Sequence, residues 1–217
     1  MKLFVDTGSI KEIEAIAALG ILDGVTTNPS LLAKEPGDFR ANLKKICDIV
    51  KGPVSGEVTA TDFAGMMRQG HDIASIDEYM VVKCPLTRDG IKACKALSAE
   101  GLRVNVTLVF TAAQALLAAK AGATFVSPFV GRLDDISTTG MELIREIVQI
   151  YDNYEFTTEI LVASCRHPIH IVEAAKMGAD ICTAPPSVID MLYNHPLTSI
   201  GLEKFLKDWE KAQAVKA

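Results

Sequence analysis

Lys83 is the residue of this sequence whose type and position most clearly point to chemistry. It lies near the end of the apolar run 79–85 (YMVVKCP), which predicts a buried strand and would ordinarily carry no charge. Because an unpaired ammonium is costly in a low-dielectric interior, burial favours the neutral amine, which can attack a carbonyl carbon to form an imine. The alternative is an edge or loop lysine whose charged end reaches water.

Two carboxylates, Asp6 and Glu57, occupy other apolar runs and are candidates for proton transfer beside such an amine. In an aldol cleavage, the iminium nitrogen accepts the electron pair of the breaking carbon–carbon bond, while a base removes the proton of the departing hydroxyl. Water is released and consumed as the imine forms and breaks. Glu57 and Thr107 are the candidates for holding that water.

A candidate anion site consists of Arg132, just after one apolar run, and of Ser164 and Arg166 at the end of the next. Two guanidinium groups and a hydroxyl suit a phosphate. The alternative is that either arginine merely pairs with a neighbouring carboxylate, Asp134 or Asp135.

His167 and His170 form a His-x-x-His pair that could face one side of a helix and bind a metal ion. The sequence offers no third ligand with convincing spacing, and Pro168 places the pair at the start of the helix. We therefore predict no metal site.

The rest of the chain supplies the elements that must position these groups. The predicted strands are 2–6, 24–28, 53–59, 79–85, 103–109, 124–130, 159–164 and 180–184. The predicted helices are 9–19, 38–51, 62–75, 88–100, 111–121, 138–153, 168–177 and 186–193. About eight strand–helix units in a chain of 217 residues predict one (β/α)8 TIM-barrel domain over residues 1–217.

Strand phase predicts which side chains meet, because barrel strands send alternate residues to the interior. The polar residues predicted to face inward are Asp6, Thr26, Asn28, Ser55, Glu57, Thr59, Lys83, Asn105, Thr107 and Ser127. The residues predicted to face outward on two of these strands are Val54, Val58, Val104, Val106 and Leu108. Most of the inward polar groups lie toward the carboxyl ends of their strands, where barrel enzymes place their active sites, so we predict one site at that end.

A further amphipathic helix is predicted over residues 202–213, after the barrel. Leu202, Phe205, Leu206 and Trp209 recur at helical spacing, with charged residues on the other side. Two uses of this apolar stripe are open: it closes the barrel's own surface, or it docks on a neighbouring subunit.

Composition and charge exclude several classes of partner. The net charge is −5, and lysine and arginine do not cluster, so the sequence predicts no basic surface for nucleic acid or an anionic membrane. No apolar stretch approaches the roughly 18 residues that a membrane span needs, and the amino terminus lacks the apolar core of a secretory signal. The 5 cysteines show no Cys-x-x-Cys spacing, so we expect reduced, mostly buried thiols and a cytoplasmic protein.

Four segments together resemble the transaldolase family. They are 25–32 (VTTNPSLL), the Lys83 strand, 105–110 (NVTLVF) and 127–132 (SPFVGR). The likeness covers essentially the whole chain, and the length is similar to that of the small transaldolase subfamily, which also includes the fructose 6-phosphate aldolases.

The resemblance implies a role for each candidate residue. Lys83 forms the Schiff base, and Asp6 handles the proton of the hydroxyl beside the cleaved bond. Glu57 and Thr107 position the catalytic water. The residues implied to bind substrate are Asn28, Asn105 and Ser127 for the dihydroxyacetone moiety and Arg132, Ser164 and Arg166 for the phosphate.

The implied reaction transfers a dihydroxyacetone unit from sedoheptulose 7-phosphate to glyceraldehyde 3-phosphate, without a metal or organic cofactor. Its products are erythrose 4-phosphate and fructose 6-phosphate, in the non-oxidative pentose phosphate pathway. Small members of the family are typically ring-based homo-oligomers, often decamers of two pentameric rings, whose terminal helix reaches a neighbour.

Two other functions are open beside transfer. The aldolase branch carries tyrosine where this chain has Phe129 and glutamine where it has Glu57, and the chain resembles transaldolases at both positions. Because a phenyl ring cannot donate a proton to a bound enamine, the resemblance favours transfer over fructose 6-phosphate aldolase activity. A non-catalytic sugar-phosphate binder is the remaining alternative, although such a protein would tolerate loss of the acid, amine or hydroxyl groups that are all present.

Overall fold

Strands and helices alternate through residues 1–216, the part of the chain that this computed structural model describes. The strands are β1 (Lys2–Asp6), β2 (Gly24–Thr26), β3 (Val54–Glu57), β4 (Met80–Pro85), β5 (Val104–Val109), β6 (Phe125–Pro128), β7 (Glu159–Val162) and β8 (Ile181–Ala184). They form a closed parallel barrel in sequence order, in which β8 pairs with β1. The predicted TIM barrel is therefore confirmed, and each predicted strand is present.

The helices surround this barrel. They are α1 (Ile10–Ala17), α2 (Pro29–Leu32), α3 (Phe39–Val50), α4 (Phe63–Ala74), α5 (Arg88–Ala99), α6 (Ala112–Ala121), α7 (Val130–Asp134), α8 (Gly140–Asn153), α9 (Pro168–Met177), α10 (Pro186–Met191) and α11 (Pro196–Lys216). The sequence did not predict α2 and α7, because helices of four and five residues are too short to show an apolar period.

Side-chain caps fix where several helices begin. Asp38, Asp62 and Thr87 each accept a hydrogen bond from a backbone N–H in the first turn of α3, α4 and α5. Thr111 and Gln114 form a reciprocal capping box at the start of α6. These caps set the lengths of the loops at the carboxyl ends of the strands.

Apolar residues form two layers, one between the strands and the helices and one inside the barrel. The inner layer consists of Phe4, Val81, Phe125, Leu161, Ala163 and Ile181. The Phe4 and Phe125 rings meet edge to face with centroids 6.2 Å apart. Phe4 also reaches across to Gly24, where an added Cβ would lie 2.5 Å from the ring. This inner layer fills the barrel interior, and polar groups occupy the carboxyl ends of the strands.

Strand β5 departs from simple alternation near its end. Val104 and Val106 join the outer layer as predicted, but Leu108 does not, and Val109 takes that place. The outward prediction for Leu108 was wrong because Leu108 has a φ of 59°, and the register with β6 shifts between Val106 and Val109.

The predicted terminal helix is confirmed, but α11 is longer than expected. It begins at Pro196, which suits a first helical position, and the His195 side chain accepts a hydrogen bond from the Leu197 backbone N–H at 3.2 Å. Its apolar side chains are largely exposed, with Phe205 at 71% and Trp209 at 63%. Of the two uses left open for this apolar stripe, closing the barrel's own surface therefore does not apply.

No helix within residues 1–216 is both long and apolar enough to span a membrane. The cysteines are buried and free, at Cys47, Cys84, Cys94, Cys165 and Cys182.

Candidate active site

Lys83 lies inside the barrel near the end of β4, and only 5% of it is exposed. Its Nζ donates a hydrogen bond to the Thr27 carbonyl at 2.9 Å and lies 3.0 Å from Glu57 Oε2. Glu57 and Lys83 are register partners on adjacent strands, so the backbone itself holds the two side chains together. The edge or loop alternative for Lys83 does not apply.

Lys83 lines a cavity of about 160 Å³ at the carboxyl end of the barrel. The residues that line it are Asp6, Thr26, Asn28, Lys83, Ser127, Phe129, Arg132, Ala163, Ser164, Arg166 and Thr183. This set contains most of the predicted site residues. Glu57, Asn105 and Thr107 do not line the cavity. Glu57 contacts Lys83 and Asn105 contacts Ser127, whereas the Thr107 hydroxyl forms no hydrogen bond with the described residues.

Asp6 lines the same cavity as Lys83 at the end of β1, and burial raises the pKa of its carboxyl group. A hydrogen bond from Thr26 and the charge of Lys83 oppose this shift. A carboxylate held in this balance can accept a proton from a bound hydroxyl and return it later.

Thr26 and Thr183 were missed as site residues by the sequence analysis. Thr26 Oγ1 donates to Asp6 Oδ1 at 2.7 Å and lies 2.7 Å from Thr183 Oγ1. Strand phase had placed Thr26 inside without a role. Thr183 is the one polar residue of β8 (ICTA), so no polar alternation could have marked one face of that strand.

Thr107 is fully buried on β5, and its hydroxyl has no hydrogen-bond partner among the described residues. It lies two residues beyond Asn105, which is the register partner of Lys83. A buried hydroxyl without a protein partner is costly, so a small polar molecule is the natural partner for it.

A polar network lies on the other side of Lys83. Ser127 Oγ donates to Asn105 Oδ1 at 2.8 Å, and Asn105 Nδ2 donates to Ser55 Oγ at 3.2 Å. Asn28 caps α2 by accepting the Leu31 backbone N–H at 3.0 Å while it lines the cavity. The Asn105 amide is thus held by protein groups, and Ser127 lines the cavity in front of it.

The candidate anion site lies at the far side of the cavity, where α7 meets the loop after β7. Arg132 lies over the Phe129 ring, 5.0 Å from its centroid. Arg166 forms an ion pair with Asp135 at 2.9 Å, so the pairing alternative holds for Arg166 although it also lines the cavity. Ser164 adopts a φ of 60°, a left-handed conformation that turns this loop back toward α7.

The His167 and His170 rings lie in contact at the start of α9, with centroids 3.9 Å apart and planes tilted by 41°. His170 contacts Asp134 at 2.9 Å. Within residues 1–216, no group of three or more histidine, cysteine, aspartate or glutamate side chains has the geometry of a metal site.

The geometry therefore joins an enclosed amine, a carboxylate with a raised pKa and a pair of arginines around one cavity. An amine in contact with a carboxylate can form an imine with a ketone, and the arginines can hold an anionic end of the same molecule.

Comparisons with known proteins agree with this chemistry. A family model described as Transaldolase/Fructose-6-phosphate aldolase matches residues 3–216. A "Probable transaldolase" of Chlorobaculum parvum is 61% identical over 216 residues, covering 96% of this chain and 97% of the relative. A "Probable transaldolase" of Kosmotoga olearia is 55% identical over 211 residues, covering 97% of each chain.

Among solved structures, the thiamine phosphate pyrophosphorylase from Pyrococcus furiosus is similar with a TM-score of 0.59. The match covers 85% of each chain at 17% sequence identity. At that identity the likeness shows the barrel fold alone.

Proposed function

The chain belongs to the transaldolase/fructose-6-phosphate aldolase family, and from that membership we propose that it is a transaldolase. The reaction transfers a dihydroxyacetone unit from sedoheptulose 7-phosphate to glyceraldehyde 3-phosphate and gives erythrose 4-phosphate and fructose 6-phosphate. The observation that carries this proposal is the enclosed Lys83 amine, 3.0 Å from Glu57 and on the same cavity as Asp6.

The first half of the reaction forms and cleaves an imine. Lys83 loses a proton to Glu57, and its amine adds to the C2 carbonyl of the donor to give a carbinolamine. Loss of water leaves an iminium. Asp6 takes the proton of the C4 hydroxyl, the C3–C4 bond breaks, and its electron pair moves into the iminium. The three-carbon part of the donor stays on Lys83 as an enamine, and the rest leaves as the aldehyde erythrose 4-phosphate.

The second half reverses these steps with a new aldehyde. The enamine carbon attacks the acceptor carbonyl, whose oxygen takes the proton from Asp6. Water then hydrolyses the imine and frees Lys83. We assign the holding of that water to Glu57 and to Thr107, whose buried hydroxyl has no partner among the described residues.

The two ends of the substrate bind on opposite sides of the cavity. Asn28 and Ser127, with Asn105 behind Ser127, suit the hydroxyls of the dihydroxyacetone moiety. The phosphate goes to Arg132, Ser164 and Arg166. For Arg166 to bind it, the guanidinium must share or exchange its contact with Asp135, which is feasible for a half-exposed pair.

Transfer rather than simple cleavage is favoured by Phe129. It lines the cavity, lies under Arg132 and meets Phe110 with centroids 5.9 Å apart. A phenyl ring offers no proton to the enamine, so the intermediate survives until an aldehyde arrives. The alternative function is fructose 6-phosphate aldolase, which uses the same lysine.

A coupled assay for erythrose 4-phosphate, with and without glyceraldehyde 3-phosphate, tests the proposal. A transaldolase releases erythrose 4-phosphate continuously only when the acceptor is present. Formation of fructose 6-phosphate from free dihydroxyacetone, at a rate matching or exceeding transfer, would assign the protein to the aldolases instead. Borohydride reduction with fructose 6-phosphate should label Lys83, whereas tight binding without labelling would indicate a non-catalytic binder.

We also propose that the protein is cytoplasmic and works as a homo-oligomer, with decamers of two pentameric rings as the assembly that the family implies. The exposed apolar side chains of α11 support an assembly in which this helix docks on a second copy.

A further inference from the structure

His170 is a buried histidine that connects the two segments carrying the candidate anion-binding arginines. It lies on α9 and is only 4% exposed. Its Nδ1 accepts a hydrogen bond from the Arg166 backbone N–H at 3.2 Å, and its Nε2 lies 2.9 Å from Asp134 Oδ2. Asp134 is the last residue of α7, the helix that carries Arg132. One imidazole ring therefore joins both sides of the anion site.

The contacts determine where His170 carries its proton. A backbone N–H can only donate, so Nδ1 must be unprotonated, and the neutral ring then carries its proton on Nε2 and donates it to Asp134. Burial, together with the nearby His167, lowers the pKa of His170 and so favours this neutral form. A second proton on Nδ1 would face the Arg166 N–H, donor against donor.

Asp134 ties the same imidazole to a third segment. Its Oδ1 accepts the Gly140 backbone N–H at 2.8 Å, at the start of α8, while Oδ2 accepts from His170. Both carboxylate oxygens are thus used, and an asparagine cannot replace them, because its amide nitrogen would oppose a donor at one contact or the other.

Close backbone contacts leave little freedom around this connection. The Gly131 N–H donates to the Ser164 carbonyl at 3.1 Å, and a Cβ on Gly131 would lie 2.2 Å from that oxygen. A Cβ on Gly140 would lie 2.3 Å from the Val130 carbonyl oxygen. The arginine-bearing segments are therefore pressed together, and His170 and Asp134 set how they meet.

We propose that His170 and Asp134 are positioning residues for the phosphate subsite, acting through the Arg166 backbone and through α7 without touching the substrate. The inference rests on the proposed function only for the identity of the anion as a sugar phosphate. It assigns a role to a histidine that the imine chemistry itself does not use.

Two substitutions of His170 separate its two contacts. His170→Asn keeps an acceptor close to the position of Nδ1, whereas His170→Gln keeps a donor close to that of Nε2 and leaves the Arg166 N–H unpaired. In steady-state assays we expect His170→Gln to raise the KM for fructose 6-phosphate about tenfold with kcat little changed. His170→Asn should recover part of that loss, because it restores the Arg166 contact but not the one to Asp134. Asp134→Asn should raise KM as His170→Gln does.

Borohydride trapping at Lys83 supplies the readout that separates positioning from general damage. The concentration of phosphate-free dihydroxyacetone that gives half-maximal labelling should be the same in the wild type and the variants. The corresponding concentration of fructose 6-phosphate should rise in His170→Gln and Asp134→Asn. The matched control is His71→Asn, which alters an exposed histidine that pairs with Glu100 on the outer surface. Nitrogen chemical shifts from NMR should show the wild-type His170 protonated on Nε2.

Three results would overturn the inference: equal losses with dihydroxyacetone and fructose 6-phosphate, equal effects of His170→Asn and His170→Gln, or a wild-type ring protonated on Nδ1. Failure of the proposed function is distinguishable. An aldolase would still trap both ketoses and leave this test unchanged, whereas a non-catalytic binder would trap neither in the wild type. In that case, binding of inorganic phosphate to the wild type and the variants would still test the inference, with about tenfold weaker binding to His170→Gln expected.

Discussion

Thr26 donates its hydroxyl proton to Asp6 Oδ1 at 2.7 Å, and its oxygen lies 2.7 Å from that of Thr183. A threonine hydroxyl has one proton, and that of Thr26 is donated to Asp6, so Thr183 must be the donor in the contact between the two threonines. A row of two hydroxyl groups therefore points at the carboxylate of Asp6 from inside the barrel. The hydrogen bond from Thr26 opposes the effect of burial, which raises the pKa of Asp6.

Replacing Thr26 by valine should move the acid side of the pH–rate profile to higher pH. The change removes a hydrogen bond that lowers the pKa of Asp6, so that pKa rises further. Asp6 must be ionised to accept a proton, and activity is lost as the pH falls through its pKa. The measurement is kcat/KM against pH. Thr26→Ser, which keeps the donor, is the control, and an unmoved acid limb in Thr26→Val would contradict the assignment.

Replacing Thr107 by valine should separate catalysis from stability. The hydroxyl is buried without a partner among the described residues, so its loss should change the free energy of unfolding by no more than about 1 kcal/mol. Loss of a group that holds the catalytic water should lower kcat about 100-fold. Denaturant unfolding and steady-state transfer assays measure the two effects. Activity near wild type in Thr107→Val, or equal losses in Thr107→Ser and Thr107→Val, would remove the hydroxyl from the mechanism.

Replacing Phe129 by tyrosine should shift the protein from transfer toward cleavage. A phenol at this position brings a proton donor to the cavity that holds the enamine. We expect the rate of fructose 6-phosphate cleavage without acceptor to rise about tenfold relative to transfer. Phe129→Leu, which is also apolar, is the control and should not gain cleavage. An unchanged ratio of the two rates in Phe129→Tyr would show that this residue does not control the fate of the intermediate.

Replacing Gly131 by alanine should damage phosphate binding and stability together. The new Cβ would lie 2.2 Å from the Ser164 carbonyl oxygen, so α7 and the loop after β7 must move apart. We expect a loss of about 1–3 kcal/mol in the free energy of unfolding and a higher KM for phosphorylated substrates. Gly201→Ala is the matched control, since nothing lies within 4 Å of its Cβ. A wild-type KM and stability in Gly131→Ala would refute the close contact.

Replacing Phe205 and Trp209 together by glutamate should weaken assembly. Both residues are more than half exposed on α11. If a second copy buries them, their loss should cost the interface about 3 kcal/mol or more per subunit. Light scattering measures the mass in solution. Glu203→Gln, on the charged face of the same helix, should leave the mass unchanged, and an unchanged oligomer in the double variant would exclude α11 as its determinant.

Strand phase and the family motifs together predicted most of the candidate site. Lys83 was identified because a charge in an apolar run is conspicuous, and its pairing with Glu57 follows from two neighbouring strands in register. Thr183 was missed because it is the one polar residue of β8 (ICTA), so no polar alternation marked a face of that strand. The prediction for Leu108 was wrong because a positive φ within β5 ends the two-residue period on which phase arguments depend.

The amino-acid sequence by itself determined the alternation of strands and helices, the barrel and the identity of the amine and its carboxylates, because periodicity and burial of charge are local properties of the chain. Only the tertiary structure decided that Thr26 and Thr183 act on Asp6, that His170 joins Arg166 to Asp134, and that α11 leaves the barrel uncovered. These facts depend on contacts between segments distant in the chain. Their distances are set by strand register and loop packing, which no local pattern encodes.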